Sequence, residues 1–285
     1  MSRELQRIGA PFRQPEWSAL ALIEAPEMVR KAHANFVAAG AQVITTNSYA
    51  LVPFHVGEAR FVVDGAWLAD LAGRMAREAA EPGVTVAGSL PPVFGSYRPD
   101  LFRADEAQAL LSVLVAGLAP HIDVFLAETQ SAIAELRAAA EAVAPTVKPL
   151  WVSFTLRDGA DVGPQDPARL RSGEDVSEAV RVALELGVQA VLFNCSRPEV
   201  MEAALDAARS VSATLPLGVY ANAFDKSQDE DGDANETVSI LRDDLDPAHY
   251  SDWAQRWQAK GATILGGCCG IGTNHIHHLA THLKG

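Results

Sequence analysis

The sequence predicts an α/β fold, a (β/α)8 TIM-type barrel, on three observations. Short, mostly apolar runs recur along the chain without alternating with polar residues, the pattern of strands buried on both faces. Segments of helical periodicity separate these runs, and strict βα alternation makes a parallel sheet with helices outside it. The chain has 285 residues, an ordinary length for such a barrel. No Pro-, Gly- or Ser-rich linker divides it, so one domain spanning 1–285 is expected. An open doubly wound sheet is the second choice.

In chain order, residues 26–39 read as a helix and AQVITTNSY (41–49) as the first strand. Residues 64–80 follow as a helix with Trp67, Leu71 and Met75 spaced four apart, a core stripe. VTVAGSL (84–90) is a strand, PPVFGSYRPDLFR (91–103) a loop, and 104–119 a helix with Leu110, Leu111, Leu114, Val115 and Leu118 inward. IDVFLAET (122–129), KPLWVSFTL (148–156), VQAVLFNCS (188–196) and LPLGVYANA (215–223) are further strands. Helix 174–186 places Val176, Val180 and Leu184 on one face. The connection 225–244, acidic through Asp229, Glu230, Asp231 and Asp233, is either a solvated loop or a functional one. Helix 247–259 carries Trp253 and Trp257, and ATILGGCC (262–269) is the last strand. That makes seven strands. An eighth belongs before helix 26–39, where the first two dozen residues hold no strand pattern, so a gap is expected between strands 41–49 and 262–269.

Composition narrows the function. The chain is 48% hydrophobic and 21% charged, enough apolar material for a large core. A formal net charge of -13 argues against nucleic acid as a partner and is compatible with a cationic small molecule. The segment MSRELQRIGAPFRQPEW has no apolar leader-type run, and no stretch is long and apolar enough for a membrane span, so a cytoplasmic protein is expected. Three cysteines are too few and too odd a number for a disulfide framework, which suits a reducing compartment.

In a barrel the chemistry lies at the C-terminal strand ends. Polar residues there are Thr46, Asn47, Ser89, Glu128, Thr129, Ser153, Thr155, Asn194, Cys195, Asn222, Cys268 and Cys269. Many short polar residues at such ends only cap the next helix. The cysteines differ, because all three in the chain fall at strand C-termini. Three thiols on one rim make a soft site suited to zinc or copper(I). Three protein ligands with an open fourth position is the pattern of catalytic zinc. The glycines flanking Cys268 and Cys269 free the backbone to aim both thiols at one ion. Other readings stay open. Cys195 alone reads as a buried small hydrophobe, and a vicinal Cys268–Cys269 disulfide, supporting a redox or metal-sensing role, is strained. Gly270-x-Gly272 fails as a nucleotide loop because His275 stands where the third glycine belongs. His275, His277 and His278 point in different directions on a helix and read as solvent-exposed.

A metal deprotonates a bound thiol outright. With three thiolates already present, a fourth, substrate thiolate keeps its nucleophilicity. Such a site suits alkyl transfer to sulfur from a sulfonium or quaternary ammonium donor, whose leaving group departs neutral. Glu128 is placed to hold the ammonium of an amino-acid substrate. Tyr97 and Phe94 can stack on an onium group.

FNCS (193–196) together with GGCCG (266–270) resembles the zinc signature of the homocysteine S-methyltransferase family. AGAQVITTNSY (39–49), LAET (126–129), SFTLRDG (153–159) and SGE (172–174) fall in that family's order, so the resemblance covers essentially the whole chain. It implies a (β/α)8 barrel, Zn2+ held by Cys195, Cys268 and Cys269, and Glu128 on the homocysteine amino group. Asn194 and Asn47 join Glu128 as substrate-binding candidates, Asn194 in a supporting role. The implied reaction is methyl transfer from a small methyl-onium donor, S-methylmethionine-like, to the homocysteine thiol, forming methionine. Methylfolate is disfavoured, since no folate or cobalamin module is visible. Family members usually open with a strand and an Asp-Gly-Gly-type turn before a segment like MSRELQRIG. Here Met1 falls inside that segment, so the first strand is expected to be lacking. The alternative reading is therefore a zinc-binding barrel without catalysis in this form.

Overall fold

The computed structural model describes residues 1–224 and 241–283. Eleven α-helices surround the strands among these residues: α1 (Ser2–Arg7), α2 (Ser18–Glu24), α3 (Pro26–Ala38), α4 (Pro53–Val56), α5 (Glu58–Ala79), α6 (Ala104–Leu118), α7 (Ile133–Val143), α8 (Val176–Glu185), α9 (Met201–Val211), α10 (Pro247–Ala259) and α11 (Thr273–His282). The strands are β1 (Val43–Thr45), β2 (Thr85–Leu90), β3 (Val124–Gln130), β4 (Leu150–Phe154), β5 (Ala190–Asn194), β6 (Leu217–Tyr220) and β7 (Ala262–Leu265). They form one sheet in sequential order β1 to β7, every neighbouring pair parallel. Each strand lies inside the segment that its apolar run predicts, except β3, which runs one residue past it to Gln130.

The sheet is curled. Ala87, Val124, Leu126, Ala190 and Leu192, from β2, β3 and β5, pack into one cluster, and Val43, Trp151, Tyr220 and Ile264 from the remaining strands pack against it. Residues from all seven strands meet only if the sheet bends around them. Its other face meets the helices across the main core, where Phe125, Phe154, Phe193, Leu114, Leu118 and Trp257 are fully buried. Each such side chain contributes roughly 1.5–3 kcal/mol by leaving water. Among the described residues β1 and β7 are the two edges of the sheet. Helix α1 is tied to α3 through Glu4, whose carboxylate accepts from Arg7 at 2.6 and 2.7 Å and from Asn35 Nδ2 at 2.6 Å.

Two expected core residues face solvent instead. Trp67 on α5 is 56% exposed and Leu184 on α8 is 40% exposed. The buried stripe of α5 runs through Phe61, Leu68, Leu71, Ala72, Met75 and Ala76, and Trp67 is one residue, about 100°, off it. On α8 the face is Val176, Ala179, Val180 and Ala183, with Leu184 turned out beyond it. Small alanines complete both stripes, so spacing between large residues alone misleads. No described helix is long and apolar enough to cross a membrane. The acidic residues Asp229, Glu230, Asp231 and Asp233 lie outside the described residues.

His33 on α3 is 1% exposed and its Nε2 has no hydrogen-bond partner among the described residues. Burial depresses its pKa from 6.5 to about 3. The unfolded chain therefore binds a proton that the folded chain does not, between those two values. This contribution to stability is present above about pH 6.5 and is lost as pH falls toward 3. Chemical denaturation at pH 7 and pH 4 is expected to show a smaller loss for His33→Leu than for wild type, by on the order of 2–3 kcal/mol.

Candidate metal centre and active site

The three sulfurs converge where the sequence predicts. Cys195 directly follows β5, and Cys268 and Cys269 follow β7 through Gly266 and Gly267. Their Sγ atoms lie within 4.8 Å of one another. The Cys195 and Cys268 sulfurs lie against each other, with Cα atoms 5.8 Å apart, and the adjacent Cys268 and Cys269 sulfurs are 4.0 Å apart. At that separation no vicinal disulfide joins Cys268 to Cys269. Cys195 is buried and Cys269 is exposed at the mouth. Three soft donors from two chain segments suit a thiophilic ion.

Backbone pairing holds the cysteine segment beyond β7. Gly266 N donates to Val219 O at 3.0 Å, Cys268 N to Ala221 O at 2.9 Å, and Ala223 N to Cys269 O at 2.9 Å. The Tyr250 hydroxyl from α10 donates to Gly266 O at 2.8 Å. Gly270 has φ +87°, and a Cβ there would sit 2.6 Å from Leu241 and 2.9 Å from Ala223. Only glycine combines that backbone with that space.

Cys195 itself is held in the left-handed region, φ 49°, and so is Thr129 at the end of β3, φ 60°. Such backbone persists where surrounding bonds determine it. Asn194 joins the two. Its Oδ1 accepts from Thr129 N at 3.1 Å and Ser153 Oγ at 2.7 Å, and its Nδ2 donates to Thr129 Oγ1 at 2.8 Å. Asn194 is fully buried and its amide is spent on β3 and β4. Asn47, also buried, donates to Ser18 O at 2.9 Å.

A second clamp, absent from the sequence reading, is the ion pair Arg171–Asp158. Its atoms are 3.0 Å apart and its side chains are 2% and 0% exposed. Arg171 Nε donates to Thr155 Oγ1 at 3.0 Å, and Thr155 Oγ1 in turn donates to Cys195 O at 3.3 Å. Asp158 Oδ2 accepts from Arg197 N at 2.9 Å, and Ser196 Oγ accepts from Leu156 N at 2.8 Å. The peptide through Cys195 is thus fixed from both sides by the connection after β4. Asp158 lies within SFTLRDG and Arg171 borders SGE. Those two shared segments were the available signal.

Glu128 projects from β3 and accepts from Ser89 Oγ. Burial raises its pKa, and the Ser89 hydroxyl opposes the rise. Cys269 is close enough for the two charges to interact. Tyr220 at the end of β6 and Tyr49 after β1 also couple electrostatically to Glu128. Tyr49 shares a hydrogen bond of 2.7 Å with Ser96. Neither tyrosine was singled out from sequence. Both proposed stacking rings already carry a cation of this chain: Arg171 lies 4.5 Å from the Tyr97 ring centre and Arg103 lies 4.2 Å from that of Phe94.

The histidines need correcting. His277 is exposed, but His275 is partly buried. Its Nδ1 accepts from Gly272 N at 3.3 Å, so Nε2 carries the proton and donates to Leu245 O at 3.0 Å. His275 closes the first turn of α11. His278, also partly buried, stacks on His282 at 3.8 Å. None of the three joins the sulfurs.

The model of the homocysteine S-methyltransferase family matches residues 1–283. A homocysteine S-methyltransferase of Escherichia coli is 32% identical, covering 94% of this chain and 88% of its own. A selenocysteine Se-methyltransferase of Brassica oleracea is 25% identical, covering 94% and 83%. The metallated form of the homocysteine methyltransferase MmuM from Escherichia coli superposes with a TM-score of 0.80 at 27% identity, covering 99% of this chain and 94% of that one.

Breaking a buried ion pair strands a charge, costing roughly 3–5 kcal/mol, whereas replacing both partners by apolar residues is close to neutral. Chemical denaturation is expected to show Arg171→Met and Asp158→Leu each destabilised by about that amount. The double variant should recover most of it.

Proposed function

Because this chain belongs to the homocysteine S-methyltransferase family, we propose that it methylates the thiol of homocysteine from a small methyl-onium donor, S-methylmethionine-like, with zinc held by Cys195, Cys268 and Cys269. The observation that carries the reading is the meeting of three sulfurs within 4.8 Å at the strand ends, beside a carboxylate, Glu128, that can hold an amino group. The donor set is all thiol and therefore soft, which favours zinc over harder cations. When bound, zinc keeps a fourth thiol ionised at neutral pH.

The chain's own residues do the rest. Glu128 binds the substrate ammonium, and Ser89 orients that carboxylate by donating to it. Asn194, with its amide engaged by Thr129 and Ser153, acts by positioning Cys195 and Thr129. Asn47 secures the segment after β1 to α2 through Ser18. The substrate sulfur attacks the methyl carbon of the onium donor. A carbon–sulfur bond forms, the methyl–heteroatom bond breaks, and its electron pair leaves with the now neutral donor. The net charge of -13 attracts a cationic donor over distance. We further infer one methyltransferase domain over 1–285, working in the cytoplasm. The sheet is read as a TIM-type barrel in which, among the described residues, no strand bridges β1 and β7, a reading supported by seven sequential parallel strands with those two as edges. The whole-chain match to methyltransferases gives the non-catalytic alternative no support.

The test pairs metal content with turnover. Wild type purified with its metal is expected to carry about one zinc per chain and to convert homocysteine to methionine with S-methylmethionine in a panel of methyl donors. Cys195→Ser should lose zinc and at least 100-fold in kcat/KM, since even residues that only orient a ligand cost roughly 10–100-fold. Turnover that survives loss of zinc would overturn the zinc assignment.

A further inference from the structure

Helix α11 ends in a second set of metal-ligand side chains, outside the sulfur cluster. Its last five residues are His278, Leu279, Ala280, Thr281 and His282. Histidines four apart share one face of a helix, and this is the spacing with which H-E-x-x-H helices hold zinc. The two rings stack here, their centres 3.8 Å apart and their planes 11° from parallel. Two imidazole nitrogens bound to one zinc, each at 2.0–2.1 Å, lie at most about 4.2 Å from each other. His282 Nδ1 is 2.9 Å from His278 O and 2.9 Å from Thr281 Oγ1. A carbonyl oxygen only accepts, so Nδ1 carries the proton and donates. The lone pair of the neutral ring is then on Nε2. A ring N–H given to a backbone carbonyl is how proteins fix the tautomer and direction of a metal-binding histidine. His278 is partly buried and His282 exposed, so an ion reaches the pair from solvent.

We propose that His278 and His282 form a surface binding site for a divalent transition ion of the zinc class, separate from the thiol centre. The proposal does not depend on the methyltransferase reading. Imidazole suits zinc, copper(II) and nickel, whereas magnesium and calcium take oxygen. The last carbonyls of α11 place partial negative charge at this end of the helix and favour a cation there. The net charge of -13 raises the concentration of divalent cations around the chain. Leu279 stands where H-E-x-x-H helices carry their general base, and it is buried. The pair therefore binds an ion without a carboxylate beside it to activate water. With two protein ligands, water fills the remaining positions and the ion exchanges freely.

The experiment is calorimetric titration of the tag-free, full-length chain with zinc chloride, after dialysis that leaves tightly held metal in place. Wild type is expected to bind about one further zinc per chain. His278→Asn and His282→Asn should each weaken that event at least about tenfold, since even groups that only orient a ligand are worth roughly 10–100-fold. His277→Asn alters an exposed ring about 100° around the helix from His278 and should match wild type. Magnesium chloride should give no binding. Cys195→Ser, confirmed to melt cooperatively, should keep the event. Melting temperatures of the three histidine variants without added zinc should match wild type, which separates ligation from folding. No further zinc on wild type, unchanged affinity in both pair variants, or an equal loss in His277→Asn would overturn the assignment. A chain that transfers no methyl group yet binds zinc through the pair would uphold it and count against the reaction alone.

Discussion

Sulfurs from strands that do not pair with each other must meet, because β6 separates β5 from β7. Every unusual feature around the site serves that requirement. The chain leaves β5 through a left-handed residue, Cys195. It leaves β7 through glycines that bring two consecutive side chains to the mouth. The curl of the sheet supplies the remaining convergence, since strand ends splayed on a flat sheet would hold the thiols apart.

Holding Cys195 in its backbone conformation takes polar groups that are themselves buried. Asn194 spans β3 to β5, and Arg171–Asp158 ties the connection after β4 to the segment after β5. Buried charges are a poor source of net stability. Their value here is geometric. A network with every member satisfied tolerates few alternative arrangements, and a site built from three side chains needs one arrangement.

Much of this was legible in the chain itself. Strands buried on both faces announce themselves as unbroken apolar runs, and each of the seven such runs, VTVAGSL and VQAVLFNCS among them, holds a strand. Three cysteines, each at a strand end, also stood out, because cysteine is scarce here and has few uses in such a position. What stayed hidden depends on partners remote in sequence. Arg171 alone reads as a surface arginine, and only the folded connection brings it against Asp158 and the Cys195 carbonyl. Trp67 misled for the opposite reason: helical spacing was right, but alanines rather than the large ring form the buried stripe.

Seventy-three residues separate Cys195 from Cys268, and this distance has a temporal meaning. At about 5–20 residues per second of synthesis, roughly 4–15 seconds pass between the making of the first sulfur and the second. Strands β1 to β5 and their helices exist by then, each pairing with its neighbour in order. For that interval the growing chain carries one lone thiol, tucked to 5% exposure once its surroundings pack. The centre is among the last things the ribosome makes possible. A nascent chain stopped after β6 would have most of the scaffold and one sulfur of three.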